Sequence, residues 1–203
     1  MKAIYKERII IVISSPSGAG KTSVCQKLIQ RDKKIALSIS DTTRPPRDNE
    51  KNGVDYNFIS KIEFLNRIDN NLYIEHANVF GNFYGSQYEN IISNYKDNKD
   101  VLFDIDWQGA AQLRKSSFSN IISIFIIPPS KDVIYERLKL RAKTSGDDTD
   151  AINERMKKYE TEMSHQDDYD YIVVNKDLKK CVKDIELIIN QYRTKLISLT
   201  KLQ

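Results

Sequence analysis

Ile9-Ile-Ile-Val-Ile-Ser14 leads directly into Ser15-Pro-Ser-Gly-Ala-Gly-Lys-Thr22 near the start of this 203-residue chain. The first stretch is a continuous β-branched run, and a strand that is apolar on both faces is typical of a parallel sheet covered by helices. Val24, Leu28 and Ile29 then follow at helical spacing. The whole stretch therefore predicts a strand, a glycine-rich turn and a helix, in that order.

The turn nearly matches the P-loop pattern G-x-x-x-x-G-K-[ST], in the strand-turn-helix context that the motif requires. Its glycines let successive backbone amides turn towards a phosphate, and the helix presents its positive end to the same anion. Lys21 would reach the β and γ phosphates of ATP, and the Thr22 hydroxyl would bind Mg²⁺. Ser15 replaces the first glycine of the motif, so a working P-loop must hold Ser15 in an ordinary backbone conformation. The predicted ATP-binding residues are Ser15, Pro16, Ser17, Gly18, Ala19, Gly20, Lys21 and Thr22.

Three further apolar runs resemble the first strand, and each is followed by a segment of helical length. They are residues 101–105, Ile121–Ile127 and Tyr171–Val174. Strands that alternate with helices predict an α/β fold with a parallel sheet flanked by helices. Residues 36–40 are a weaker candidate for one more strand.

Two acidic residues mark the end of the predicted strand at residues 101–105. Asp104 lies within the apolar run, and Asp106 follows it. An acid at the carboxyl end of a strand resembles a Walker B element, which faces Mg²⁺ or its waters. We expect Asp104 and Asp106 to have different roles.

Serines mark several predicted helix starts. Ser60 and Ser86 each stand three residues before a glutamate, which is the spacing of a capping box. Ser130 follows two prolines and is a good N-cap for a helix to about residue 141. Residues 178–199 carry apolar side chains at helical spacing, which predicts a long C-terminal helix.

Two regions interrupt the alternation of strands and helices. Residues 42–84 are rich in polar and aromatic side chains and are predicted to form an inserted subdomain. Within it, two prolines stiffen the backbone between Arg44 and Arg47, so both guanidinium groups can be aimed at a second anion. Residues 142–150 form a polar break, a composition that suits a mobile surface segment.

The composition excludes several classes of protein. Thirty-two Lys and Arg against 28 Asp and Glu give a formal net charge of +4, too small to indicate a nucleic-acid partner but suited to small anions. No apolar stretch approaches the roughly 18 residues needed to cross a bilayer, so no membrane association is expected. Cys25 and Cys181 show neither metal-ligand nor disulfide spacing, which favours a reducing cytoplasm. The oligomeric state is left open.

Six motifs, in one order, resemble those of guanylate kinases. They are Ser-Pro-Ser-Gly-Ala-Gly-Lys-Thr, Ser-x-Ser-x-Thr-Thr-Arg-x-Pro-Arg, Tyr-Ile-Glu-His-Ala, Gly-Asn-Phe-Tyr-Gly-Ser, Asp-Ile-Asp-Trp-Gln-Gly and Pro-Pro-Ser. The similarity extends from residue 10 to about residue 192. It implies a P-loop NTPase fold that transfers the γ-phosphoryl group of ATP to GMP, with dGMP as a further acceptor and Mg²⁺ as cofactor. It also implies one domain with a core of residues 1–41, 85–140 and 151–203, an NMP-binding insertion at about 42–84, and a lid at about 141–150.

The resemblance implies a role for each matching residue. Arg44, Arg47, Tyr56 and Tyr84 would bind the GMP phosphate, and Ser40, Glu75 and Ser86 would bind guanine. Asp104 and Asp106 would lie between the acceptor and the metal, with Thr22 and Asp104 as metal ligands. The implied catalytic residues are Lys21, Arg44, Arg137, Arg141 and Arg155, of which the last three border the lid.

The implied guanine site agrees with the chemistry of the base. An ionised carboxylate such as that of Glu75 only accepts hydrogen bonds, and guanine offers two adjacent donors, N1–H and the N2 amine, which adenine lacks. Simpler interpretations are an outward charge on an edge strand for Glu75 and ordinary packing for Tyr56 and Tyr84.

Other interpretations concern larger parts of the chain. The P-loop could be an incidental glycine-rich turn, Arg44 and Arg47 could lie in a solvated basic loop, and the lid arginines could cover an exposed helix. For the whole chain, the alternatives are a guanylate-kinase-like scaffolding module and a P-loop kinase for another acceptor, such as a ribosyl phosphate.

Overall fold

The computed structural model describes residues 7–48, 50–145 and 149–200. Its strands and helices alternate along most of the chain, and a short 3-10 helix, Gln166–Asp168, precedes the last strand. In chain order the elements are β1 (Ile10–Ser14), α1 (Lys21–Arg31), β2 (Ile35–Leu37), β3 (Asp41–Thr42), β4 (Asn57–Phe58), α2 (Lys61–Asp69), β5 (Tyr73–Val79), β6 (Asn82–Gln87), α3 (Tyr88–Lys96), β7 (Asp100–Asp104), α4 (Trp107–Arg114), β8 (Ile121–Ile127), α5 (Lys131–Ser145), α6 (Thr149–Met163), β9 (Tyr171–Val174) and α7 (Leu178–Thr200).

The larger sheet confirms the predicted α/β architecture. Within the described residues it has five strands in the order β2-β7-β1-β8-β9, and every pair is parallel. Its central strand β1 is buried on both faces, as its β-branched sequence predicts. Ile9, Ile11 and Ile13 belong to a core with α1 and α7, while Ile10 and Val12 belong to a core with α3 and α4. The P-loop therefore follows the most buried strand of the fold.

The smaller sheet lies mostly within residues 42–84, the region predicted to be an inserted subdomain. Its order is β4-β3-β6-β5, and β5 and β6 form an antiparallel hairpin. Asp41 of β3 is fully buried and accepts hydrogen bonds from Asn57, Arg67, Tyr73 and Gln87 at 2.6–2.9 Å. Because these donors come from β4, α2, β5 and β6, one carboxylate joins every element of this subdomain. A buried charge of this kind is tolerated because its acceptor sites are occupied by donors.

One of the two predicted capping boxes is wrong. Ser60 does cap α2, since its hydroxyl accepts the amide of the glutamate three residues later at 3.1 Å. Ser86 instead lies inside β6, and its hydroxyl is 2.9 Å from that of Ser40, while α3 begins at Tyr88. The spacing is the same in both cases, but pairing between β5 and β6 already occupies the backbone at Ser86.

Other element bounds differ from the predictions by a few residues. The strand predicted at residues 36–40 is Ile35–Leu37, and the helix that follows Ser130 continues to Ser145 rather than to about residue 141. The predicted polar break at 142–150 is therefore helical at its two ends, and residues 146–148 lie outside the described part of the chain. None of the helices among the described residues is both long and apolar enough to cross a membrane.

Candidate active site

The P-loop has the backbone conformation that its sequence predicts. Gly18 and Gly20 have φ angles of 84° and 94°, in the left-handed region that favours glycine, whereas Ser15 does not have a positive φ. Gly20 also lies close to the buried side chain of Asn175, and a Cβ at this position would be 2.6 Å from Asn175 Nδ2. This amide donates to the carbonyl of Ala19 at 2.7 Å. The substitution of the first motif glycine by Ser15 is thus compatible with a formed loop.

Lys21, Thr22 and Asp104 form one cluster where the P-loop meets the end of β7. Lys21 Nζ donates to Asp104 Oδ1, and Thr22 Oγ1 donates to Asp104 Oδ2 at 3.2 Å. Burial acts to lower the pKa of Lys21, but the ion pair with Asp104 outweighs it and raises the pKa above its ordinary value. Lys21 therefore remains a cation at physiological pH.

Asp106 makes different contacts from Asp104, because β7 ends at Asp104 and Asp106 is the N-cap residue of α4. Its carboxylate caps α4 by accepting the amides of Gln108 and Gly109 at 3.1 and 3.0 Å. It also accepts the side-chain amide of Gln108 at 2.9 Å. Asp106 still lines the same cleft as Asp104, but most of its hydrogen-bonding capacity goes to the helix.

Glu75 is a buried carboxylate, so the interpretation as an outward edge charge is wrong. It lies on β5, which is an edge strand, but only 3% of the residue is exposed. Its Oε1 has no hydrogen-bond partner within the described residues. Burial, together with nearby Asp106, raises the pKa of Glu75 to about 7 against an opposing effect of Ser86. Ser86 is its cross-strand partner and contacts Ser40, so the three predicted guanine ligands are brought together.

Arg44 and Arg47 converge on a residue that sequence reasoning did not select, Glu50. Arg44 donates from both terminal nitrogens to the two Glu50 oxygens at 2.9 Å each, and its Nε donates to the Tyr84 hydroxyl at 3.2 Å. The Arg47 amide donates to Glu50 Oε2 at 2.9 Å. Tyr56 packs edge-on against Tyr84, with ring centroids 5.8 Å apart. The four predicted phosphate ligands therefore form one cluster, in which Arg47 is exposed.

One arginine of α5 and one of α6 also contact the P-loop or its neighbours. Arg137 donates to the carbonyls of Ala19 and Asn175 at 3.2 and 3.1 Å, and Arg155 donates to Ser17 Oγ at 3.3 Å. Glu162 also contacts Ser17, since Glu162 Oε2 accepts the Ser17 amide at 2.9 Å. The side chain of Arg141, predicted to join Arg137, lies outside the described part of the structure.

One cleft of about 560 Å³ joins these groups. Ala19 and Ser86 are fully buried, and neither lines the cleft directly. Of the predicted site residues, those that line it are Ser15, Pro16, Ser17, Gly18, Gly20, Lys21, Thr22, Ser40, Arg44, Arg47, Tyr56, Glu75, Tyr84, Asp104, Asp106, Arg137 and Arg155.

Three residues of this region were not identified from the sequence, because their partners are distant along the chain or because no motif marks them. Glu162 and Asn175 contact P-loop residues 145 and 156 positions away along the chain. Glu50 lies six residues from Arg44, but a single glutamate in a polar loop carries no motif. Only the short spacing between Glu50 and the two arginines could have indicated an ion pair.

Comparisons with known proteins agree with this geometry. The guanylate kinase family model matches residues 7–192. The chain is 43% identical to a guanylate kinase of Rickettsia bellii, covering 92% of this chain and 96% of that protein, and 40% identical to one of Paramagnetospirillum magneticum, covering 96% and 90%. The crystal structure of guanylate kinase from Anaplasma phagocytophilum superposes with a TM-score of 0.75 at 36% identity, covering 92% of this chain and 86% of that one. This chain belongs to the guanylate kinase family.

Proposed function

We propose that the cleft carries out the guanylate kinase reaction, in which the γ-phosphoryl group of ATP moves to GMP and gives ADP and GDP. We also propose dGMP as an acceptor. One observation carries the assignment. A buried carboxylate, that of Glu75, shares a cleft with the P-loop cation Lys21 and with the arginine pair Arg44 and Arg47. Such a cleft has one site for a base edge and two sites for phosphate.

The donor side of the reaction belongs to the P-loop. Its backbone amides and the start of α1 would bind the ATP phosphates, and Lys21 would reach the β and γ groups. Arg137 and Arg155 already contact the loop, which supports a role for both in neutralising charge on the transferred group. Arg141, one helical turn beyond Arg137, is proposed to join them in the lid of residues 141–150.

Mg²⁺ would be held at the cluster of Thr22 and Asp104. Hydroxyl and carboxylate oxygens are ligands that Mg²⁺ prefers, and in phosphoryl-transfer sites the substrate phosphates and waters complete its shell. No group of three or more His, Cys, Asp or Glu side chains among the described residues could hold a metal by itself, which fits a metal that arrives with ATP. When bound, Mg²⁺ supplies positive charge to the β and γ phosphates.

The acceptor oxygen needs no dedicated general base. A phosphate monoester has a second pKa of about 6, so the GMP phosphate is mostly dianionic at neutral pH and already nucleophilic. The protein must bring two anions into line and exclude water. Arg44 and Arg47 would hold the acceptor phosphate with Tyr56 and Tyr84, opposite Lys21.

Glu75 would select guanine. Its carboxylate accepts from N1–H and the N2 amine, while the hydroxyl of Ser40 can donate to O6. Adenine would leave these buried groups unpaired, and such a loss can discriminate by about 10⁴-fold. A buried base-recognition site speaks against a ribosyl phosphate as acceptor. The intact cluster of Lys21, Thr22 and Asp104 supports an enzyme rather than a scaffolding module.

We further propose that the protein acts in the cytoplasm on small molecules, without a nucleic-acid or membrane partner. Cys25 and Cys181 are both buried as free thiols, which suits a reducing compartment. The formal net charge of +4 suits nucleotide substrates without requiring a polyanion.

A coupled assay of ADP release tests the proposed reaction. Purified protein is given ATP and Mg²⁺ with GMP, dGMP, AMP, CMP or UMP in separate reactions. Turnover with GMP and dGMP alone is the expected result. Folded protein that turns over none of the five nucleotides would favour the scaffolding module, and turnover with AMP at a rate equal to GMP would refute the role of Glu75.

Replacing Glu50 with glutamine should weaken binding of the GMP phosphate. Burial acts to raise the pKa of Glu50, but its bonds to Arg44 and Arg47 outweigh this and lower it, so Glu50 is an anion that holds both arginines. Glu50→Gln removes the charge that holds the two guanidinium groups in place. We therefore expect GMP affinity to fall about 10-fold, which is about the contribution of one charge-assisted hydrogen bond. Titration calorimetry with GMP and with guanosine checks this, because guanosine binding should not change. Tighter GMP binding would show instead that Glu50 competes with the phosphate.

Guanosine binding should depend on pH through Glu75. Burial raises the pKa of Glu75 to about 7, and only the ionised carboxylate accepts both guanine donors. Affinity for guanosine should therefore increase as the pH rises through 7. Guanosine is the probe because the GMP phosphate itself titrates near pH 6, about one unit lower. Glu75→Gln should abolish this dependence, and an unchanged pH profile in that variant would assign it to another group.

The same pKa predicts an opposite trend for stability. Between the ordinary value of 4.5 and about 7, the native Glu75 binds a proton that the unfolded chain has released. The contribution of Glu75 to the free energy of unfolding therefore falls as the pH rises through this window. Denaturant titrations of the wild type and of Glu75→Gln should diverge there.

A further inference from the structure

Gly109 is the third residue of α4 and lies directly against Glu75. A Cβ built on Gly109 would be 2.4 Å from Glu75 Oε2 and 3.1 Å from Glu75 Cδ. Real Cβ atoms essentially never approach another atom within 3.0 Å. Only the absence of a side chain at residue 109 allows the carboxylate to occupy its present position.

The backbone of Gly109 does not itself require glycine. Its φ is not in the left-handed region, and the residue lies inside a regular helix, where alanine is intrinsically the better residue. The helix therefore gains nothing from a glycine here. A Cβ at this position would meet Glu75 and, at 3.3 Å, Ile105 Cδ1, and of these two residues only Glu75 belongs to the predicted guanine site.

The helix and the strand cannot easily move apart to relieve such a collision. Gln112 of α4 accepts the amide of His76 at 3.1 Å and donates to the carbonyl of His76 at 2.7 Å. His76 is the residue after Glu75, and Gln112 lies three residues after Gly109. Asp106 also caps the helix at its first turn. Because the Gln112–His76 pair joins the two elements beside the contact, the flexible end of the Glu75 side chain yields before the backbone does.

We infer that Gly109 is a specificity-determining residue of the guanine site, acting as a positioning residue through Glu75. The inference rests on the proposed function, in which Glu75 binds guanine. To restore an ordinary contact of 3.4 Å from 2.4 Å, the carboxylate would have to retreat by 1.0 Å. A misplacement of about 1 Å can reduce a rate by about 100-fold. The displaced carboxylate of Glu75 would also no longer accept hydrogen bonds from both N1–H and the N2 amine of guanine.

Gly109→Ala tests this inference, with Ala111→Gly as the matched control. The control removes a methyl group from the same helix, whereas Gly109→Ala adds one, and residue 111 is half-buried. We expect Gly109→Ala to lower kcat/KM for GMP about 100-fold and to reduce the preference for GMP over AMP, with KM for ATP unchanged. The melting temperature should not fall, since alanine favours the helix. A purely structural role would produce the opposite pattern: lower stability and unchanged discrimination.

A double variant identifies Glu75 as the group that Gly109 positions. Glu75→Asp withdraws the carboxylate by one methylene, so adding Gly109→Ala to it should cost no further activity, although the same change costs about 100-fold in the wild type. Additive losses would overturn the inference. Should Gly109→Ala fail to fold, Glu75→Ala in the same chain should restore folding, and a double variant that is equally unfolded would overturn the inference as well.

The outcomes also separate this inference from the proposed function. If the wild type phosphorylates GMP and Gly109→Ala does so equally well, the inference fails and the function stands. If the wild type does not use GMP, the proposed function itself fails, whatever residue 109 does.

Discussion

Lys21→Ala should abolish phosphoryl transfer to within the detection limit of a coupled assay, a loss of about 10³-fold or more in kcat. A cation that neutralises the transferred group can contribute this much to a phosphoryl-transfer rate. Lys21 is the P-loop cation, and its ion pair with Asp104 raises its pKa, so its charge is present throughout the working range of pH. The measurement is ADP release with saturating ATP and GMP, which isolates kcat from binding.

Lys27→Ala is the matched control for this variant. Lys27 lies on α1 as well, is exposed, and donates only to the Gln30 side chain at 3.1 Å among the bonds that the structure describes. Its removal should leave kcat within about twofold, as is usual for surface substitutions. Circular dichroism of both variants excludes unfolding as the cause. A Lys21→Ala protein with more than a tenth of wild-type kcat would contradict the assignment of this loop to ATP.

Glu75→Ala should lower kcat/KM for GMP by about 10⁴-fold, because a site built to bond the substrate loses its acceptors and the base loses its partners. The loss should be specific to the acceptor, with the KM for ATP little changed, since Glu75 lies on β5 and the P-loop follows β1. Steady-state kinetics with GMP and AMP check both parts. The ratio of the two kcat/KM values should fall towards one.

Stability distinguishes this functional role from a structural one. The carboxylate of Glu75 is buried with one oxygen unpartnered among the described groups, so its removal should not destabilise the fold at pH values above its pKa of about 7. Glu89→Ala is a suitable control, since Glu89 is an exposed glutamate at the start of α3. Equal losses of GMP turnover in the two variants would refute recognition of guanine by Glu75.

Much of the site was predictable because its residues occur in local patterns. The P-loop follows a β-branched strand directly, and Arg44 and Arg47 share one short proline-stiffened turn, so their proximity follows from chain geometry. The different contacts of Asp104 and Asp106 were expected but do not follow from strand alternation, because residues two apart on a strand lie on the same face; β7 ends at Asp104, and Asp106 caps α4. The capping-box prediction failed at Ser86. The same spacing of serine and glutamate occurs there within a strand, because β6 pairs with β5 at this residue.

The sequence by itself determined the order of strands and helices, the glycine-rich turn with its cation, and the stiff turn that carries two arginines. These properties depend on side-chain periodicity and on backbone preferences within about a dozen residues. Only the tertiary structure decided that Glu75 is buried, that Glu50 joins the two arginines, that Glu162 reaches the P-loop, and that Gly109 makes room for a carboxylate. Such contacts form where separate elements pack against each other. The local sequence pattern of one element does not determine its distance from another element.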